Sequence, residues 1–166
     1  MKKTWKSVAC LSAALLLVLS AACTSRLVLS TPEGSLEEIL DRLYETVEID
    51  EGMKGWLREG LATEPITAEK AEYFLGIPLP DSVVEGIASE PVMSGSAFSV
   101  CLLRVKDGTD TEALAKQIRN NVNTFKWVCV GVEKENVRTL CAGNVILLAV
   151  TEDSKAFVKA FRALAQ

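Results

Sequence analysis

The sequence predicts an α+β domain: a mainly antiparallel sheet covered by helices, with a helical N-terminal part. Three observations predict it. The second half reads strand, helix, three-strand meander, helix, from apolar alternation broken by turn residues. Gly143-Asn144 separates two apolar runs by two residues, the spacing of a tight hairpin. The first half carries apolar residues at helical spacing. The N-terminal helices are expected to pack beside the sheet.

From Ser35 the local chemistry is that of a helix. Ser35 and Glu38 have the spacing of a capping box, and Glu37 and Glu38 suit the positive end of the helix dipole. Leu36, Ile39, Leu40, Leu43, Tyr44 and Val47 fall on one face, with Glu37, Glu38, Asp41, Arg42, Glu45 and Glu48 on the other. Carboxylates spread along a helix ordinarily face water, so the acidic face is read as solvated surface. Gly52 to Leu61 is ambiguous, with Met53, Trp56 and Leu57 set among glycines. Trp56 is read as a core or interface anchor, with ligand stacking and a second membrane contact as alternatives. Thr67 is placed as the cap of a helix to about Leu75, ended by Gly76. Pro78 and Pro80 impose extended chain, and Asp81 or Ser82 begins a short helical turn with Val83, Val84 and Ile87.

Ser89 to Ser94 is expected as an edge strand, since Pro91 argues against a central place. Ala97 to Lys106 follows as a strand and Asp107-Gly108 as a turn. Thr109 and Glu112 are assigned as a capping box for a helix that buries Leu114, Ile118 and Val122. The meander is placed at Lys126 to Val132, Val137 to Ala142 and Val145 to Val150, with a type II′ turn at Gly143-Asn144. A last helix from near Asp153 presents Phe157, Val158, Phe161 and Leu164.

The first 22 of the 166 residues look like a targeting segment. Lys2, Lys3 and Lys6 form a positive start, Val8 to Leu19 an apolar run, and Ser20-Ala21-Ala22 a small-residue end. Ser7 to Ala22 is 16 residues, short of the ~20 that span a hydrocarbon core. Leu19-Ser20-Ala21-Ala22-Cys23 resembles a lipobox, which implies a diacylglyceryl group on the Cys23 thiol and Cys23 as the first mature residue. Ser20 stands where that motif most often has leucine. Ser20 and Ala22 also suit ordinary signal peptidase, so soluble secretion with a free Cys23 and an uncleaved membrane anchor are the alternatives. The division is then residues 1–22 signal peptide, 23–34 lipidated tether, and 35–166 one α+β domain. Leu27, Val28, Leu29 and Pro32 make the tether apolar, so tether and edge strand both stay open for Thr24 to Gly34.

Charge and composition exclude several function classes. The chain has 18 basic and 22 acidic residues; without Lys2, Lys3 and Lys6 the mature part has 15 against 22, a formal charge of −7. Such a body gains nothing from displacing counterions on a phosphate backbone, so no nucleic-acid partner is expected. It is not drawn to anionic lipid either, so membrane association must come from the acyl chains. With no histidine in the chain, Ser–His–Asp and Cys–His sets cannot form within it, and zinc lacks its usual ligand set. No Ser-x-x-Lys signature or glycine-rich phosphate loop is present. Asp107-Gly108-Thr109-Asp110 begins like a calcium loop, but Glu112 stands at the glycine position and Ile118 at the bidentate glutamate. No catalytic residue, cofactor or metal site is assigned. Paired carboxylates for a hydrolase can meet from anywhere in a chain, and nothing favours a pair.

Export would permit disulfides. Cys101, Cys129 and Cys141 all fall in predicted strands. With a four-residue loop at Glu133 to Asn136, Cys129 and Cys141 point to opposite sheet faces, although a loop one residue different reverses that. The three are read as small apolar core residues with no disulfide.

From about Ala71 to Val150 the chain resembles an uncharacterised family of small lipoproteins from Gram-positive anaerobes. The resemblance rests on Ser89-Glu90-Pro91, Leu102-Leu103-Arg104-Val105-Lys106-Asp107-Gly108, Lys126-Trp127-Val128-Cys129-Val130 and Gly143-Asn144-Val145-Ile146-Leu147-Leu148. Trp127 is expected in the core and Lys126 in solvent. The resemblance implies no activity or site residues, and it agrees with an anchor at Cys23. The expectation is a lipid-anchored protein on the extracytoplasmic side of the cell membrane. Its role would be non-enzymatic, binding or supporting an unknown envelope protein or ligand; an envelope hydrolase using carboxylates is the alternative.

Overall fold

The computed structural model describes residues 29–93 and 95–166. Five strands form one fully antiparallel sheet: β1 (Leu61–Pro65), β2 (Val83–Pro91), β3 (Ser99–Val105), β4 (Val137–Ala142) and β5 (Val145–Val150), in the order β1-β2-β3-β5-β4. Helices cover both faces. On one lie α1 (Leu36–Thr46), α2 (Glu51–Glu59) and α5 (Ser154–Leu164), packed on Ile87, Val100, Leu102, Leu147 and Ala149. On the other lie α3 (Ala71–Leu75) and α4 (Thr111–Asn121), packed on Ala88, Cys101, Leu103, Ile146 and Leu148. Burial on both sides explains why β3 and β5 are almost unbroken apolar runs. α1 and α2 therefore cover a face of the sheet, where the sequence placed the N-terminal helices beside it.

Several local expectations are met. Ser35 Oγ accepts from the Glu38 amide at 3.2 Å, and Glu38 Oε2 accepts from the Ser35 amide at 2.9 Å. Gly76 ends α3 at φ +72°, in the left-handed region that glycine enters without a Cβ clash. Gly143 takes φ +55°, as the first central residue of a II′ turn requires.

Four expectations are corrected. Lys126 to Val132 is irregular chain, not the first strand of a meander. Its valines alternate, but Trp127 and Val132, five residues apart, are the buried ones, while Val128 is 65% exposed and Cys129 sits at φ +60°. Sinking Trp127 into the core and folding the loop back, with the Val132 amide on the Thr124 carbonyl at 2.9 Å, prevails over pairing at the outer edge of β4. The missing strands come from Leu61–Pro65, which the sequence left ambiguous, and Val83–Pro91, read there as a helical turn and an edge strand. Pro91 is tolerated in this internal strand because it is the last residue, opposite Leu61. Asp110, not Thr109, caps α4, accepting from the Ala113 amide at 3.0 Å, while the Thr109 hydroxyl donates to the Lys106 carbonyl. Thr67 lies in a turn ahead of α3, whose N-cap is Lys70.

The described part of the expected tether lies against the domain. The Ser30 amide donates to the Ala165 carbonyl at 2.8 Å, and the Gly143 amide to the Leu29 carbonyl at 3.1 Å. Thr31 Oγ1 accepts from the Asn144 amide, and Pro32 is buried. This pole of the sheet, holding the β4–β5 turn and the end of α5, is the turn pole. The strand directions put the β2–β3 connection, the α4–β4 connection and the start of α5 at the other.

Candidate functional site: an apolar cleft at the far pole

The pole opposite the β4–β5 turn carries a cleft of about 540 Å³. Met53 and Trp56 of α2 form one wall, Ala97 and Phe98 the floor, Val130 to Val132 the facing wall, and Thr151, Glu152 and Asp153 one end. Trp56 meets Phe98 edge to face with ring centroids 5.3 Å apart, and Phe98 meets Phe157 in the same way at 5.6 Å. The cleft is thus an opening onto the aromatic core of the α1/α2/α5 face. Around it the connections expose large apolar side chains: Val92 at 69%, Met93 at 81%, Phe125 at 67% and Val128 at 65%. Single exposed apolar residues are ordinary, but Phe125 lies against Gly131 of the lining and Val92 is bonded to Gly60 beside Trp56, so part of this apolar surface borders the cleft.

A buried ion pair holds the wall in place. Lys126 Nζ pairs with Glu90, and its side chain is only 2% exposed. Tyr73 Oη donates to the second Glu90 oxygen at 3.1 Å. The ammonium also lies 4.5 Å from the Tyr73 ring centre, 5.1 Å from that of Phe74 and 5.3 Å from that of Trp127. Lys126 therefore does not face solvent as the sequence suggested. It ties the α4–β4 connection to β2 and α3, and so positions Val130 to Val132. Burial, then the Glu90 carboxylate, pushes the Tyr73 hydroxyl up to about 12, so it stays a donor at neutral pH.

A second hollow of about 350 Å³ lies between α1, α2 and the β1–β2 edge, with Asp41, Glu45, Lys54 and Arg58 around it. Tyr44 Oη and Ser89 Oγ are buried beneath it. They are near enough to influence each other, but neither completes a hydrogen bond. Burial, the largest effect, raises the Tyr44 hydroxyl far above its ordinary value.

The residues singled out in the sequence are dispersed. Cys23, the expected acylation site, lies outside the described residues. Cys101 is fully buried, Cys141 half-buried and Cys129 exposed, all as free thiols. Cys129 is thus no core residue, because the strand that would have buried it does not form. Burial raises the Cys101 and Cys141 thiols to about 11. Trp56 is half-buried and lines the cleft. Among the described residues no three His, Cys, Asp or Glu side chains gather as a metal site, and no helix is long and apolar enough to cross a membrane. The sequence passed over Phe98, inside its predicted strand, and Glu90, which meets Lys126 across 36 positions with no local signal. In comparisons with protein families, curated proteins and solved structures, nothing matches this chain.

Proposed function

We propose that the protein is a lipid-anchored, extracytoplasmic binding module that works through its apolar cleft. The cleft carries this reading: a concave apolar surface with aromatic walls suits retention of an apolar group. The tripartite leader ending at Cys23 supports export and acylation. At ~0.8 kcal/mol per buried methylene, two or three acyl chains hold a protein on a bilayer essentially permanently.

The anchor and the cleft are then at opposite ends. Six residues from Cys23 to Leu29 reach at most ~20 Å, and Leu29 is bonded into the turn pole. The cleft lies beyond the length of the sheet, on the side away from the membrane. This arrangement favours capture of something from the outer side over a membrane contact by Trp56.

Labelled palmitate is expected to enter the wild-type chain and not Cys23→Ser. An apolar fluorescent probe is expected to bind the wild type and to be displaced in Met53→Lys, which puts a charge on the cleft wall. Equal palmitate incorporation removes the anchor; equal probe binding removes the cleft.

A further inference from the structure

The charge around the cleft narrows its occupant. No basic side chain is among its lining residues; the two charged ones are Glu152 and Asp153. Lys54 and Arg58, the cations of α2, line the other hollow, and Glu51 is paired with Lys54 at 3.1 Å, so the negative charge of the mouth is that of Glu152 and Asp153. An apolar recess with an acidic mouth is complementary to an apolar group flanked by positive charge. Exposed Phe125, packed against Gly131 of the lining, and exposed Val92, whose amide donates to the Gly60 carbonyl beside Trp56, carry apolar surface beyond the recess, so an occupant longer than one small molecule gains contact. We propose that the cleft binds a peptide segment of a partner protein in which apolar side chains are flanked by lysine or arginine. This rests on the cleft being a binding site and adds the class of its occupant. Anionic lipid is disfavoured by the carboxylates, and a second copy docking through the same surface would bring Glu152 and Asp153 against their own counterparts.

The test uses the full lipidated chain in phosphatidylcholine nanodiscs, with empty nanodiscs as the blank. Three short labelled peptides are titrated by fluorescence anisotropy: a leucine–phenylalanine core flanked by lysines, the same core flanked by glutamates, and a serine core flanked by lysines. The first is expected to bind at least tenfold more tightly than either other. The double variant Glu152→Gln, Asp153→Asn, with its melting temperature confirming the fold, should weaken it about three- to tenfold, as two partly exposed charge contacts allow. Met53→Lys should abolish it. Equal binding of the glutamate-flanked peptide, or no change in the double variant, overturns the charge preference while leaving apolar-probe binding intact. Equal binding of the serine-core peptide means that surface charge alone is being read, and also overturns the proposal. Failure of all three peptides while the apolar probe still binds rejects a peptide occupant; failure of the probe as well rejects the cleft. Titration with anionic vesicles and sedimentation analysis cover the other occupants: binding to the former, or dimerisation lost in Met53→Lys, would each replace the proposal.

Discussion

The two poles of this sheet are built on different principles. At the turn pole the chain closes on itself by hydrogen bonds to the backbone: Leu29, Ser30 and the Thr31 hydroxyl are bonded to Gly143, Ala165 and Asn144, and the Arg104 guanidinium donates to the Gly34 carbonyl at 2.8 Å. At the cleft pole two irregular connections meet, apolar side chains stand in water, and a desolvated Lys126–Glu90 pair does the fastening. One pole commits its polar groups to closure, whereas the other buries its Lys126–Glu90 pair and leaves apolar surface and the Glu152 and Asp153 carboxylates available. That division is what the proposed role, anchored at one end and binding at the other, would require.

The largest effect should come from breaking the ion pair. Lys126→Ala leaves Glu90 buried without its cation and should cost about 3–5 kcal/mol in urea unfolding. The pair replacement Lys126→Met, Glu90→Leu should return most of it, because apolar groups of similar size avoid the desolvation of both charges. If the single variant proves neutral, the pair does not hold this pole.

At the turn pole the sensitive atom is a missing one. A Cβ at Gly143 would lie 1.9 Å from Thr31 Oγ1, at a φ of +55°. Gly143→Ala should therefore cost about 1–3 kcal/mol and speed amide exchange at Leu29 to Thr31. Probe binding at the cleft should be unchanged, which separates the poles experimentally.

Thiol reactivity maps the same contrast more gently. Cys129, exposed at the cleft pole, should react with a maleimide at neutral pH. Cys141 should lag, and Cys101 should react only on unfolding, since burial raises both thiols to about 11 and keeps them protonated. Fast labelling of Cys101 would mean that the core opens locally.

The smallest effect is alkaline. Tyr44 and Tyr73 are the chain's two tyrosines, and both are raised from 10.0 by burial, Tyr73 to about 12. Groups raised in the fold contribute stability that is complete below the unfolded value and lost as pH climbs through the folded one. Absorbance at 295 nm should show little phenolate until well above pH 10, and stability should fall from about pH 10 to 12. Ionisation at the ordinary value would place both hydroxyls in water.

Much of the fold was legible because its signals are local. The Ser35–Glu38 box, the Gly143-Asn144 turn and the apolar runs of β3 and β5 each lie within a few residues of one another. The errors have a tertiary cause. Val83 to Pro91 reads as turn and edge until β1 is there to pair with it, and Gly86 suits the strand because Leu103 and Ile66 come too close for a Cβ. Lys126 to Val132 has the alternation of a strand, but Trp127 gains more by entering the core beside a lysine that only Glu90 makes tolerable. Of the cleft, Met53 and Trp56 could be noticed but not placed, because their partners arrive from three distant connections.

Depth measurement in a bilayer tests the opposed poles most directly. In lipidated protein on vesicles, a fluorophore on Cys129 marks the cleft pole. One on an Asn144→Cys variant marks the turn pole, with Cys129→Ser removing the competing thiol. Nitroxide-bearing lipids should quench the label at position 144 and leave that at 129 as bright as in nitroxide-free vesicles. Strong quenching at 129 would put the cleft against the membrane and contradict the account.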